Sequence, residues 1–442
     1  MSEVAARRNR LLLTQWADLL ENDSFRRFWL MRLSSNTAAN ALTYSLLVFT
    51  VRESTAALAA GGLLLTFVVP SALLGAFAGV IVDRLPRGLI LFLCQALRAA
   101  LVFVLMGAKD SLWALYPVSF ALSTVTQFAV PAEAAVLPHV VRPDRMTAAS
   151  SFMNLGTLTS QVLGMLVLAP VFLKTTDGDP LLMILIALFA IAGLILTIIP
   201  QFNFTSPDGQ APVTLKGARR EFAESWLALS RDSIAYLSLI LLVVSNTSVY
   251  VLATLLPKFS VHVLAVAPEN IVFILAPAAV SVFLGLRCVE WLANRFNKLV
   301  TISAAYLMMA AALIALGLVP ATGDLIRDLD PLGLFSAGPL NGQTARIGAT
   351  ILHASVYGFA FTVVMTMGRV LLYERVPHRM QGRVFAAQHV LGNLASIVPI
   401  LLAGLLADAV GVAPVLLAAG VVALLAAAWS RVQGSRTVPA SA

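Results

Sequence analysis

Charge is what this 442-residue chain has least of. Asp, Glu, Lys and Arg make up 12% of it, against about 25% in ordinary soluble domains. Apolar residues reach 59% and the mean hydropathy is +0.88, which excludes a soluble domain, with or without a single anchor. Cysteine is nearly absent. Cys94 and Cys288 both fall inside apolar runs, so there is no disulfide framework and no metal-ligand spacing, and no cofactor is implied. A basic patch is missing too. The formal charge is +8, but the basic residues alternate with apolar spans, which argues against nucleic acid as a partner. No cleavable leader is expected, because the run Leu11–Leu13 is too short and Asp18 and Glu21 follow it. Acidic residues avoid mid-membrane depth: Glu133, Glu290 and Glu374 lie near the expected inner ends of spans and Asp408 near an outer end.

What is present is a series of apolar segments, each near the ~20 residues that cross a bilayer. They predict helices over 28–51, 56–82, 89–107, 112–136, 146–173, 181–199, 234–256, 271–292, 299–319, 347–372, 384–406 and 412–429. With the N-terminus inside, the inner segments hold 20 Lys and Arg and the outer loops 6, while Arg32, Arg98, Arg287 and Arg369 lie within spans. That bias predicts a multi-pass protein of the cell membrane with both termini cytoplasmic.

The expected organisation is a cytoplasmic N-terminal segment (1–27), a six-helix bundle (28–199), a linker (200–233), a second bundle (234–430) and a tail (431–442). Leu12, Trp16, Leu19 and Leu20 predict a short surface helix, and Leu215, Ala218, Phe222, Trp226 and Leu229 another within the linker. Residues 320–346 read as a long outer loop. The halves echo one another. Asp83-Arg84-Leu-Pro-Arg87 after span two matches Asn294-Arg295-Phe-Asn-Lys298 after span eight, and Leu137-Pro138-His139 matches Val376-Pro377-His378. A duplicated six-span unit marks transporters with two halves about a central site. The fold expected is therefore all-α, with twelve transmembrane helices in two pseudo-symmetric six-helix bundles.

The stretch Gly79-Val-Ile-Val-Asp83-Arg84-Leu-Pro86-Arg87-Gly88 is similar to the signature between spans two and three of the major facilitator superfamily. Pro86 stands where that signature usually has Gly, and Gly88 where it has a second basic residue. The chain also resembles the drug- and siderophore-exporter branch, which includes macrolide and enterobactin exporters. This likeness lies at Phe25-Arg26-Arg27-Phe28-Trp29-Leu30, at Pro131-Ala132 through Leu137-Pro138, and at Glu374-Arg375-Val376-Pro377 through Gly382-Arg383-Val384-Phe385. Span five reads Gln161-Val-Leu-Gly164-Met-Leu, without the Gly-Pro motif of many exporters.

The resemblance implies a conformational latch at Asp83, Arg84, Arg87 and Glu133. Asp83 would face the start of span eleven near Gln381–Val384, and Arg87 would meet Glu133. It also implies that spans one, four, seven and ten line the pathway. The cavity candidates are Asn36, Asn40 and Tyr44 on span one, Arg98 on span three and Gln127 on span four. Asn154 on span five, Asn246 and Tyr250 on span seven, Tyr357 and Arg369 on span ten and Asn393 on span eleven complete them. Each could equally make a plain interhelical hydrogen bond, worth ~0.6–2 kcal/mol. Arg98 lies roughly 15 Å into its span at ~1.5 Å per residue, so it must face protein or water. Its two readings are a brace bonded to Asn36, to Asn40 or to freed carbonyls, and a contact for an anionic substrate. Gly75 and Gly79, four apart, predict a close helix approach. Proton coupling rests on Glu133, with His353 as the second candidate.

The function expected is secondary transport, outward, of an amphiphilic small molecule by a monomer working as an antiporter at the inner membrane. A lipid or lysolipid flipping protein is the alternative within transport. A membrane-bound acyltransferase is the alternative of another class, resting on His139-Val-Val-Arg-Pro-Asp144. The second-half echo has Arg383 where Asp144 would repeat, so an enzyme is not expected.

Overall fold

The computed structural model describes residues 19–142, 145–199, 232–267, 270–322, 341–376 and 381–437. The expectations for the N-terminal surface helix, the linker helix, Asp144 and most of the 320–346 loop lie outside these residues. Every span expected from the sequence coincides with one helix, its ends shifted by at most about two turns. In lipid the backbone has no water to bond, so these apolar segments can only be helical.

In chain order the helices are α1 Asp23–Glu53, α2 Ala57–Arg84, α3 Arg87–Met106 and α4 Leu112–Val140. Then α5 runs as Met146–Gln161, passes through a π-helical stretch Val162–Leu168 and ends as Ala169–Thr175; α6 is Asp179–Thr197. The second set is α7 Ser233–His262, α8 Ile271–Arg295, α9 Lys298–Gly317, α10 Asn341–Arg375, α11 Gln381–Val410 and α12 Val412–Thr437. The starts of α7 and α9 are capped by the side chain just before them. Asp232 accepts from the amides of Ile234 (2.9 Å) and Ala235 (3.0 Å), and Asn297 from Leu299 (2.9 Å). Gly411 alone separates α11 from α12, at φ 93°, a conformation that a Cβ would disfavour.

Among the described residues eleven helices are long and apolar enough to cross a membrane. The twelfth, α1, is not, because Arg32, Asn36, Asn40 and several Ser and Thr lower its apolarity.

The chain divides into two compact units, residues 1–53 with 73–213 and residues 54–72 with 214–442. In the first, α1 packs on α4, α5 and α6, and α3 packs on α4 and α6. In the second, α7 packs on α10, α11 and α12, and α9 on α10 and α12. Adding six to each of these labels of the first set yields the second, but among the described residues α8 also packs closely on α10 with no matching α2–α4 pair, since α2 is divided between the units. The first core holds Phe25, Phe28, Met31, Leu91 and Ala129; the second holds Ile302, Tyr306, Met309, Leu313 and Met367. Tyr306 is fully buried and donates its hydroxyl hydrogen to the Leu241 carbonyl.

The expected 28–199 bundle differs from the first unit in one place. The first part of α2, through Ala72, belongs by its contacts with the second unit, and Pro70 sits at the changeover. Asp408 of α11 accepts hydrogen bonds from the amides of Ala57 (2.9 Å) and Leu58 (3.0 Å) and from Lys258 Nζ (2.7 Å). It thus caps the start of α2. Gly404 permits the approach, since a Cβ there would lie 2.9 Å from the Leu58 Cα. Asp408→Ala removes a capping carboxylate worth about 1–2 kcal/mol. The melting temperature in detergent is expected to fall by a few degrees, and Asp408→Asn, which keeps one acceptor, should cost less. Unchanged melting of the alanine variant would show that the cap contributes nothing.

Candidate functional site

The helix α1 has two faces of opposite chemistry. Phe25, Phe28, Met31, Ser35, Ala38 and Leu42 recur every three or four residues and are buried, the first three in the first core. Arg32, Asn36 and Asn40 recur every four residues on another face, with Thr43 one turn further, and all four line a cavity. The cavity measures about 520 Å³ and is lined further by Arg98 of α3, by Thr126, Val130, Glu133, Ala134 and Leu137 of α4, and by Ser150, Met153, Asn154, Thr157 and Gln161 of α5. This volume falls within the ~300–1,000 Å³ of small-molecule sites.

Three charged side chains meet there. Arg32 Nε donates to Glu133 Oε2 at 3.0 Å; the carboxylate side chain is 10% exposed and the guanidinium 28%. Arg98 is buried. Its Nη1 donates to Ser35 Oγ and its Nη2 to Thr126 Oγ1, both at 3.1 Å, and its guanidinium lies 5.8 Å from the centre of the Phe189 ring. Ser35 in turn donates to Gln95 Oε1 at 3.0 Å. The brace expected from Asn36 or Asn40 is thus supplied by two hydroxyls, because the Asn40 amide donates back to the Asn36 carbonyl at 2.8 Å.

The close helix contact expected at Gly75 and Gly79 is found elsewhere. A methyl on Gly79 would meet nothing within 4 Å, and one on Gly75 only the Gln127 amide oxygen at 3.6 Å. Four-residue spacing permits an approach, but among the described residues no helix comes that close there. Gly164, in the π-helical stretch of α5, is the contact point. A Cβ there would lie 2.5 Å from the Thr37 carbonyl oxygen, 2.8 Å from the Ala41 nitrogen and 2.9 Å from the Asn40 Cβ. The segment that lacks the exporter proline therefore carries a π-bulge pressed against the cavity-lining helix.

Of the sequence-derived cavity candidates, Asn36, Asn40, Arg98 and Asn154 share this cavity. Tyr44 is buried among the core residues of α1, and Gln127 lies on the α4 face towards Gly75; neither lines it. Asn246, Tyr250, Tyr357, Arg369 and Asn393 belong to the second unit. Tyr250 donates to Asn393 Oδ1 at 3.2 Å, and Asn393 donates to Ser71 Oγ at 2.9 Å, which lies 3.3 Å from His389 Nε2. The Tyr357 and Ser248 hydroxyls are 2.7 Å apart, Asn246 packs over Gly392, and Arg369 is exposed on α10.

Of the latch residues, Asp83 and Arg84 end α2, and their side chains lie outside the described set. Arg87 contacts the Ala135 carbonyl at 3.4 Å and His139 Nε2 at 3.2 Å. Glu133 pairs with Arg32 rather than with Arg87, because it points from α4 into the cavity, towards α1. Sequence reasoning passed over Arg32, Thr126 and Thr157 as site residues. Arg32 had a usable signal, since a charge within a span, four residues before Asn36 and eight before Asn40, continues one polar stripe. The hydroxyls had none.

No curated protein sequence matches the chain at a significant level. Solved structures do. The nucleoside transporter NupG superposes with a TM-score of 0.70 at 14% identity, covering 93% of this chain and 99% of that one. A POT family peptide transporter gives 0.68 at 13% identity, covering 94% and 97%. A bacterial homolog of the human lysosomal transporter Spinster gives 0.61 at 15%, covering 96% and 99%. At such identities these likenesses establish the fold. The family profile described as Major Facilitator Superfamily matches residues 28–338, well over half of the sequence. This chain belongs to the Major Facilitator Superfamily.

Proposed function

We propose that the protein is a secondary transporter that moves an amphiphilic small molecule outwards across the cytoplasmic membrane by alternating access. Membership of the superfamily makes it a transporter rather than an enzyme. The observation that carries the rest is the cavity of about 520 Å³, whose Asn, Thr and Arg groups sit beside Val130, Leu137 and Met153 inside an otherwise apolar bundle. A polar site with an apolar wall suits a cargo that has both kinds of surface. Assignment to the drug and siderophore exporters rests on the motif resemblance, as do the inner membrane, the cytoplasmic termini and action as a monomer. Lipids are then partners as solvent, and a lipid flipping protein is the alternative. Glu133, the carboxylate of the cavity, is the proposed proton site for antiport.

Dye efflux from everted vesicles, with and without an imposed pH gradient, tests this reading. Flux that depends on the protein and on the gradient supports a proton antiporter. Flux of labelled lipid alone would favour flipping, and no flux of either would overturn export. The turn at Asp83–Arg87 is the proposed latch holding one of the two states. With Cys94 and Cys288 replaced and one cysteine placed at Asn154, Asp83→Asn should quicken labelling by several-fold up to about thirtyfold. That corresponds to a lost charge–dipole contact of ~1–2 kcal/mol. An unchanged labelling rate in a folded protein would reduce the turn to a topological loop.

A further inference from the structure

We infer that the cavity of the first unit selects a cargo carrying a single negative charge, and that Glu133 sets that number. The inference rests on the transport reading for what the cavity is for, but not for what it binds. Among the described residues that line the cavity only Arg32, Arg98 and Glu133 are charged, so with Glu133 ionised this lining carries a net charge of +1. A cleft with a net charge of one sign and low-dielectric walls draws a counter-charge into itself.

The geometry shows where that charge goes. Glu133 engages Arg32 through Nε only, so the terminal nitrogens of a guanidinium that is 28% exposed remain for another acceptor. Arg98 is held by two neutral hydroxyls and no carboxylate bonds it among the described residues. Two forked donors flanking one carboxylate can receive one more carboxylate or comparable anion, in the planar, bidentate manner that guanidinium favours. A second anionic charge would face Glu133 with no cation left to offset it. Val130, Leu137 and Met153 on the wall supply the apolar contact. The chemical class is therefore a monoanionic amphiphile, and a dianion or a cation of the same size is rejected by charge.

The test uses purified full-length protein in detergent and four tritiated probes that share one octanoyl chain and carry heads of different charge: N-octanoylglycine (monoanion), its glycinamide (neutral), N-octanoylaspartate (dianion) and N-octanoyllysinamide (cation). Wild-type protein should bind the monoanion roughly ten- to hundredfold more tightly than the neutral amide, as a charge-assisted hydrogen bond implies, and more tightly than the dianion. Glu133→Gln, which raises the lining charge to +2, should reverse the order of monoanion and dianion. Equal binding of all four probes by the wild type, or binding of none, overturns the inference even if the variant does not fold. A folded Glu133→Gln protein with the wild-type order overturns the role of Glu133. Reconstituted flux of the probes separates the two readings: flux without charge preference leaves transport standing and removes this inference. Charge-selective binding without any flux does the opposite.

Discussion

Replacing Gly164 with alanine is expected to destabilise the first unit by about 3 kcal/mol or more, the upper end of what overpacking costs in a buried site. The added methyl would fall 2.5 Å from the Thr37 carbonyl oxygen and 2.8 Å from the Ala41 nitrogen. Both are backbone atoms of α1, so no rotamer change relieves the contact, and either α1 or the π-helical stretch of α5 must move. Asn36 and Asn40 on α1 and Gln161 on α5 would move with them, so the cavity should lose its shape together with the fold. Thermal unfolding and probe binding measured on one preparation check this, and both should fall. Gly79→Ala is the control. Its methyl meets nothing within 4 Å, and glycine inside a helix costs roughly 0.5–1 kcal/mol relative to alanine, so that variant should be neutral or slightly more stable. Equal behaviour of the two variants would show that the contact at Gly164 relaxes at no cost.

The second large effect is an asymmetry in the ion cluster. Glu133→Ala leaves Arg32 and Arg98 together without a carboxylate and takes the lining from +1 to +2; Arg32→Ala leaves Arg98 with Glu133 and takes it to zero. Removing one member of a buried pair costs about 3–5 kcal/mol when the remaining charge has no other partner. Glu133→Ala should approach that range. Arg32→Ala should cost only about 1–2 kcal/mol, because Arg32 is partly exposed and Arg98 still offsets the carboxylate. The double variant restores +1 and should be more stable than Glu133→Ala alone, with a coupling of about 1–3 kcal/mol. Denaturation of the four proteins in one detergent decides it. Should Arg32→Ala prove the more damaging, Arg98 does not offset Glu133 and the three residues are not one electrostatic unit.

How far the sequence could be read depended on the length of the signal. Runs of about twenty apolar residues have one outcome in lipid, so the helices were legible from them, α1 least because its polar residues interrupt the run. The polar stripe Asn36 and Asn40 was legible for the same reason, since helical spacing alone places both on one face. The partner of Arg98 was not. Ser35 and Thr126 serve it, and hydroxyls are too common in membrane helices for any spacing to single them out. The pairing of Glu133 with Arg32 depends on how α4 is turned towards α1, a packing angle that no short motif encodes. The π-bulge at Val162–Leu168 is also silent in sequence. Its glycine was visible, but the neighbour pressing on it was not.

The cap on α2 bears on how the chain is made. Ala57 and the Asp408 that bonds its amide are 351 residues apart. At synthesis rates of about 5–20 residues per second, roughly 20–70 s separate the emergence of the helix start from that of its cap. During that interval the opening turn of α2 has neither Asp408 nor the covering helix α11, and its free amides must be satisfied by water or lipid head groups near the membrane surface. The first part of α2 is therefore the last piece of the early chain to find its place. Any delay in inserting α11 prolongs exposure of a segment made near the beginning.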